Sequence, residues 1–130
     1  MQVDIKFWLK NIMSIIKIYH NQRWSKSRES VKILENSEHE YEIVDYMNKP
    51  PTPKQLESLS RKMQISAREF IRCREAIFRD LNLKPHLDDD DILFKHMSKY
   101  PQLIERPIVV KGDKAVLGRP SERVCDLLDS

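Results

Sequence analysis

Glycine is almost absent: Gly112 and Gly118 are the only two in 130 residues. A glycine-rich phosphate or dinucleotide loop is therefore excluded. Cysteine is equally scarce. Cys73 and Cys125 cannot build a disulfide framework and lack metal-ligand spacing, so no metal site is expected. No run approaches the roughly 18 uninterrupted apolar residues of a membrane span. Neither sign of charge dominates. The 23 Lys+Arg and 20 Asp+Glu leave a net +3 spread along the chain, which gives no electrostatic case for a nucleic-acid partner. Apolar residues make up 40% of the chain, well above the disordered class, and the length suits one ordinary domain.

The first twelve residues, MQVDIKFWLKNI, place Ile5, Trp8, Leu9 and Ile12 at helical spacing. Asp4, Lys6 and Lys10 interrupt the stretch and no small-residue cleavage site follows, so it does not read as a secretory signal. A membrane-surface helix is the second reading, against which stand its marginal length and thin basic face. Residues 1–12 are expected to be an N-terminal extension, disordered or arising from an upstream start, ahead of one domain over 13–130. With no signal and no span, a cytoplasmic location is expected.

From Ile15 the pattern alternates. Ile15, Ile16, Ile18 and Tyr19 form a β-branched and aromatic run that reads as a buried strand. Ser25 or Ser27 can cap a helix running to about Asn36, with Val31, Ile33 and Leu34 on its apolar side. Tyr41 to Met47 reads as a second strand, stopped by Lys49-Pro50-Pro51. Thr52 caps a helix that opens on Pro53 and carries Leu56, Leu59 and Met63. Ser66 is expected to open another helix through Phe70 and Ile71 toward Ile77. Asp88 to Asp91 sit where a helix start welcomes negative charge, ahead of Ile92, Leu93, His96 and Met97. Pro101 ends that helix. Ile108–Val110, Lys111-Gly112-Asp113 and Ala115–Leu117 read as a hairpin, followed by a last helix with Val124, Leu127 and Leu128 inward. Two strands around one helix predict a parallel βαβ unit, and the hairpin adds antiparallel strands. The expected class is α/β: a thioredoxin-like mixed sheet with a helical segment inserted between about Pro50 and Pro101.

Three segments taken together, IKIYHNQRWSKSR, ERPIVV and GRPSE, resemble the arsenate reductase family that couples to glutathione and glutaredoxin; NKPPT and ISAREFIRCRE agree. The resemblance spans Ile15 to Leu128 and implies the same thioredoxin-like fold. It also implies a substrate, arsenate or a similar oxyanion, with glutathione as co-substrate, glutaredoxin as partner and no bound cofactor. In the family a cysteine nucleophile stands in a loop reading H-N-x-x-C-x-x-S-R. Here the loop runs from His20 to Arg28, and the cysteine position is Trp24. Gln22 replaces the usual proline. A thiolate there would be stabilised by a helix N-terminus, and indole offers no equivalent nucleophile. By resemblance, Arg72, Arg106 and Arg119 hold the oxyanion, which suits the planar guanidinium fork. His20, Asn21 and Ser27 support the loop: His20 either shapes the nucleophile environment or bonds loop backbone, and Ser27 either meets the thiol or caps the helix. The Arg106–Pro107 peptide is expected to be cis, beside the active-site loop.

The function that follows is an arsenate reductase family protein impaired or inactive in the thiol mechanism. A second reading is a non-catalytic oxyanion-binding or regulatory module. The broad family includes redox-responsive regulators that bind RNA polymerase, but their paired-cysteine motif is absent here. A third reading moves the nucleophile to Cys73, against which stands the 100° between adjacent helical residues Arg72 and Cys73. Otherwise Cys73 is expected to be a buried small residue, and Cys125, beside Val124, to belong to the core.

Overall fold

The computed structural model describes residues 15–21, 23 and 25–130. The readings for residues 1–12, and those for Gln22 and Trp24, lie outside the described residues. Strand β1 (Ile16–Tyr19) leads into helix α1 (Ser25–Glu35), and the chain returns as β2 (Tyr41–Val44). β2 pairs parallel to β1, with Ile16 opposite Tyr41 and Tyr19 opposite Val44. The hairpin is present as β3 (Ile108–Lys111) and β4 (Lys114–Leu117), turning at Gly112 with φ of +60°. β3 lies antiparallel to β1, so the sheet order is β2-β1-β3-β4. This mixed sheet is the thioredoxin-like arrangement anticipated from the pattern. Helix α5 (Glu122–Asp129) closes the chain.

Side-chain alternation along the strands separates two cores. Ile16, Ile18 and Val109 point toward α1 and α5, where they pack with Leu34, Val124 and Leu127. Ile108 and Val110 point the other way, into the larger cluster built by the inserted segment, with Leu56, Leu59, Phe70, Leu93, Met97 and Leu103.

That segment contains α2 (Pro53–Met63), α3 (Ala76–Asp80) and α4 (Asp90–Lys99). α2 starts as its sequence dictates. The Thr52 hydroxyl accepts from the Gln55 amide at 3.1 Å, and Gln55 Oε1 accepts from the Thr52 amide at 2.9 Å, a full capping box. The acidic run behaves as a helix start. Asp89 accepts from the Ile92 amide at 3.2 Å, Asp88 pairs with Arg68 at 2.7 Å, and Asp90 accepts from the Ala67 amide at 3.3 Å.

Three local expectations need correction. The helix from Ser66 stops after one 3-10 turn, Ala67–Glu69. The cause is competition for backbone: Arg72 N donates to Leu103 O at 2.7 Å and Glu105 N donates to Phe70 O at 2.9 Å, an antiparallel bridge between Ile71 and Ile104. β2 ends at Val44 rather than Met47, because Lys49 N returns to Asp45 O at 2.9 Å and Asn48 donates to the Asp45 carboxylate at 2.6 Å, making a turn. Ser27 is not a cap. It is the third residue of α1 and fully buried.

Candidate functional site

The loop between β1 and α1 begins at the carboxyl end of a central strand, where open α/β sheets place their ligand crevices. His20 is held by its amide, which donates to Val44 O at 3.1 Å. Asn21 Oδ1 accepts from the Arg23 amide at 3.1 Å, tightening the loop just before the helix. The first turn of α1 has no acidic residue, so the positive end of an eleven-residue helix meets the loop uncompensated from within.

The bridge between Ile71 and Ile104 does more than end a helix. It carries Arg72 to Glu105, and Arg106 follows at once. Glu105 Oε1 accepts from Arg72 Nη1 at 3.0 Å and from the Arg106 backbone amide at 3.1 Å, and it lies 3.8 Å from Arg119 Nη1. Glu75 Oε1 takes Arg72 Nε at 3.1 Å. Two guanidinium groups and the Arg106 backbone amide thus meet on one carboxylate, and the Arg106 guanidinium lies within charge range of Arg72 and Glu105. Arg106 is 2% exposed, Arg72 is mostly covered and Arg119 is the open member. Burial pushes the Arg106 guanidinium below its ordinary pKa, and the neighbouring charge of Arg72 acts in the same direction. The Arg106–Pro107 peptide is cis, as expected, and so is Arg119–Pro120, which was not anticipated.

Tyr46 connects this cluster to the loop. It follows β2 and is fully buried. Its hydroxyl lies beside the Arg106 guanidinium and the Asn21 side chain, close enough for both to favour its ionised form. Neither contact has the alignment of a well-formed hydrogen bond, and burial outweighs them, raising the phenol above its ordinary pKa.

His20 is buried, and its ring makes no hydrogen bond to loop backbone among the described residues. Burial lowers the imidazole pKa; Asp45 opposes this and Arg28 adds to it. The Ser27 hydroxyl is also buried without a partner among the described residues. Beside the loop, toward β2, opens a cleft of about 380 Å³ lined by His20, Asn21, Arg23, Ile43, Asp45, Met47 and Asn48. None of the three arginines lines it.

Both cysteines depart from expectation, for each is exposed. Cys73 lies in the turn after the bridge, its sulfur 3.8 Å from Ile71 O. Cys125 stands one residue from inward-facing Val124, and the helical step of about 100° turns it to solvent. Sequence reasoning missed Glu105 and Tyr46. The signal for Glu105 was adjacency, since it opens the ERPIVV segment; Tyr46 gave none beyond an aromatic in a strand-like run.

The ArsC family model matches residues 19–127, from the end of β1 into α5. The chain belongs to the ArsC family. It is 42% identical over 118 residues to an arsenate reductase of Haemophilus influenzae, covering 89% of this chain and all of that protein. It is 40% identical over 114 residues to the Escherichia coli protein YfgD, covering 87% and 96% of the two chains. Its structure resembles that of an arsenate reductase from Vibrio cholerae with a TM-score of 0.82 and 38% identity, over 87% of this chain and 97% of that one. In this ArsC-family chain no helix among the described residues is long and apolar enough to cross a membrane.

Proposed function

We propose that this protein binds arsenate or a closely related oxyanion through Arg72, Arg106 and Arg119, and that it is impaired or inactive as a reductase because Trp24 stands at the nucleophile position. The gathering of the Arg72 and Arg119 guanidinium groups and the Arg106 backbone amide on Glu105, with the Arg106 guanidinium close enough to feel the charge of Arg72, carries this reading. Guanidinium forks match the tetrahedral oxygens of arsenate and stay charged. The helix N-terminus at the loop adds backbone donors of the same sense. Reduction of arsenate to arsenite requires two electrons. In the proposed family chemistry a loop thiolate first bonds to arsenic, then glutathione and glutaredoxin, in the cytoplasm, supply the electrons. Indole cannot form that sulfur–arsenic bond. A retained anion site without the thiol also favours a second reading, a non-catalytic oxyanion-binding or regulatory module.

The test compares the parent with Trp24→Cys in arsenate-dependent NADPH consumption, with glutathione, glutaredoxin and glutathione reductase supplied. The expected result is that Trp24→Cys creates turnover or greatly increases it over the parent. Equal turnover would show that Trp24 is no defect and would make Cys73→Ser the next variant. Calorimetry with arsenate tests binding separately: the parent should bind and Arg106→Ala should not.

A further inference from the structure

The carboxylate at the centre of the arginine cluster is out of place in a site meant for anions. Among the described residues, Oε1 takes every polar contact of the Glu105 carboxylate: Arg72 Nη1 at 3.0 Å, the Arg106 amide at 3.1 Å and Arg119 Nη1 at 3.8 Å. Oε2 meets no donor among the described residues. The side chain is 26% exposed, so this second oxygen is not sealed in the core.

An oxyanion drawn to Arg72 and Arg119 must settle next to Glu105, because those guanidinium groups lie within 4 Å of its Oε1. Two negative groups at roughly 5 Å in a partly screened setting repel by at least about one power of ten in affinity. A proton on the ligand reverses the sign of that encounter. A ligand O–H can donate to Oε2, and an O–H···O⁻ bond of this kind is short and strong. Sites built to receive a hydroxyl donor reject analogues that lack it, because the acceptor is left facing an acceptor.

We propose that Glu105 sets the specificity of this site, admitting tetrahedral oxyanions that retain a proton at neutral pH, such as hydrogen arsenate and hydrogen phosphate, and rejecting those without one, such as sulfate. The inference rests on the oxyanion reading of the arginine cluster given above.

The experiment is calorimetric titration of the full chain at neutral pH with arsenate, phosphate, sulfate and monofluorophosphate. Monofluorophosphate has the shape and charge of hydrogen phosphate, but fluorine replaces the hydroxyl and cannot donate. The parent should bind sulfate and monofluorophosphate at least about tenfold more weakly than phosphate. In Glu105→Gln the amide Nε2 can donate to an unprotonated oxygen, so sulfate should tighten and the ratio should fall to within about threefold. Equal binding of phosphate and monofluorophosphate by the parent would overturn the proposal, as would an unchanged ratio in Glu105→Gln. The parent comparison needs no variant, so it decides the matter even if Glu105→Gln does not fold. Absence of arsenate and phosphate binding by the parent, or binding unaffected by Arg106→Ala, would instead overturn the oxyanion site itself and this inference with it.

Discussion

Gly118→Ala should destabilise the protein severely, for a reason visible only in three dimensions. Gly118 N donates to Pro107 O at 2.8 Å, which draws the end of β4 against the Arg106–Pro107 corner. A Cβ added there would lie 2.7 Å from Pro107 Cγ, 2.8 Å from Ser30 Oγ and 3.3 Å from Val124 Cγ2. Two of these contacts are shorter than packed atoms tolerate. Pro107 is a rigid ring and Ser30 is fully buried, so neither can swing aside. Overpacking of a tight core costs about 1–3 kcal/mol, and this site belongs at the upper end. For a chain of this size such a loss lowers the melting temperature by about 10 °C. It would also displace Arg119, the next residue, from its 3.8 Å approach to Glu105. The check is thermal and urea denaturation of Gly118→Ala, Ser30→Ala and the double variant. The Ser30 hydroxyl has no partner among the described residues, so Ser30→Ala alone should cost little. In the double variant one of the two close contacts is gone, and roughly 1 kcal/mol of the penalty should return as a coupling between neighbours. A melting temperature for Gly118→Ala within about 1 °C of the parent would refute the steric argument. So would a penalty indifferent to Ser30.

Two further outcomes are expected. His20 is a base whose pKa burial depresses in the fold, so the unfolded chain binds more protons as pH falls below the ordinary histidine value of about 6.5. The stability that a neutral His20 allows is therefore complete above that value and lost as pH falls through the folded pKa; melting curves from pH 7.5 to 5 should show a decline that His20→Asn flattens. Thr52→Ala removes one arm of the capping box at α2 and should cost about 1 kcal/mol in urea denaturation, while Thr52→Ser should retain most of it.

The sequence by itself determined those features that depend on neighbours along the chain. The β-branched run of β1, the capping box of α2, the acidic start of α4 and the glycine turn of the hairpin all follow from local chemistry. Alternation of strand and helix was enough to predict the mixed sheet. The motif segments, with ISAREFIRCRE supplying Arg72, were specific enough to single out Arg72, Arg106 and Arg119. What the local signal could not contain was the competition from distant backbone. Ser66 and Glu69 form a good capping box, yet the helix they begin fails because Phe70 and Arg72 pair with Leu103 and Glu105 instead. Only that pairing, across more than thirty residues of sequence, puts Arg72 on the carboxylate that Arg106 and Arg119 share. The same holds for Cys125, whose neighbour faces inward while it faces solvent, and for Tyr46, which leaves its strand to lie under Arg106. Hydrogen bonds and packing between residues far apart in the chain decided these placements, and they carry no periodicity that a linear reading can detect.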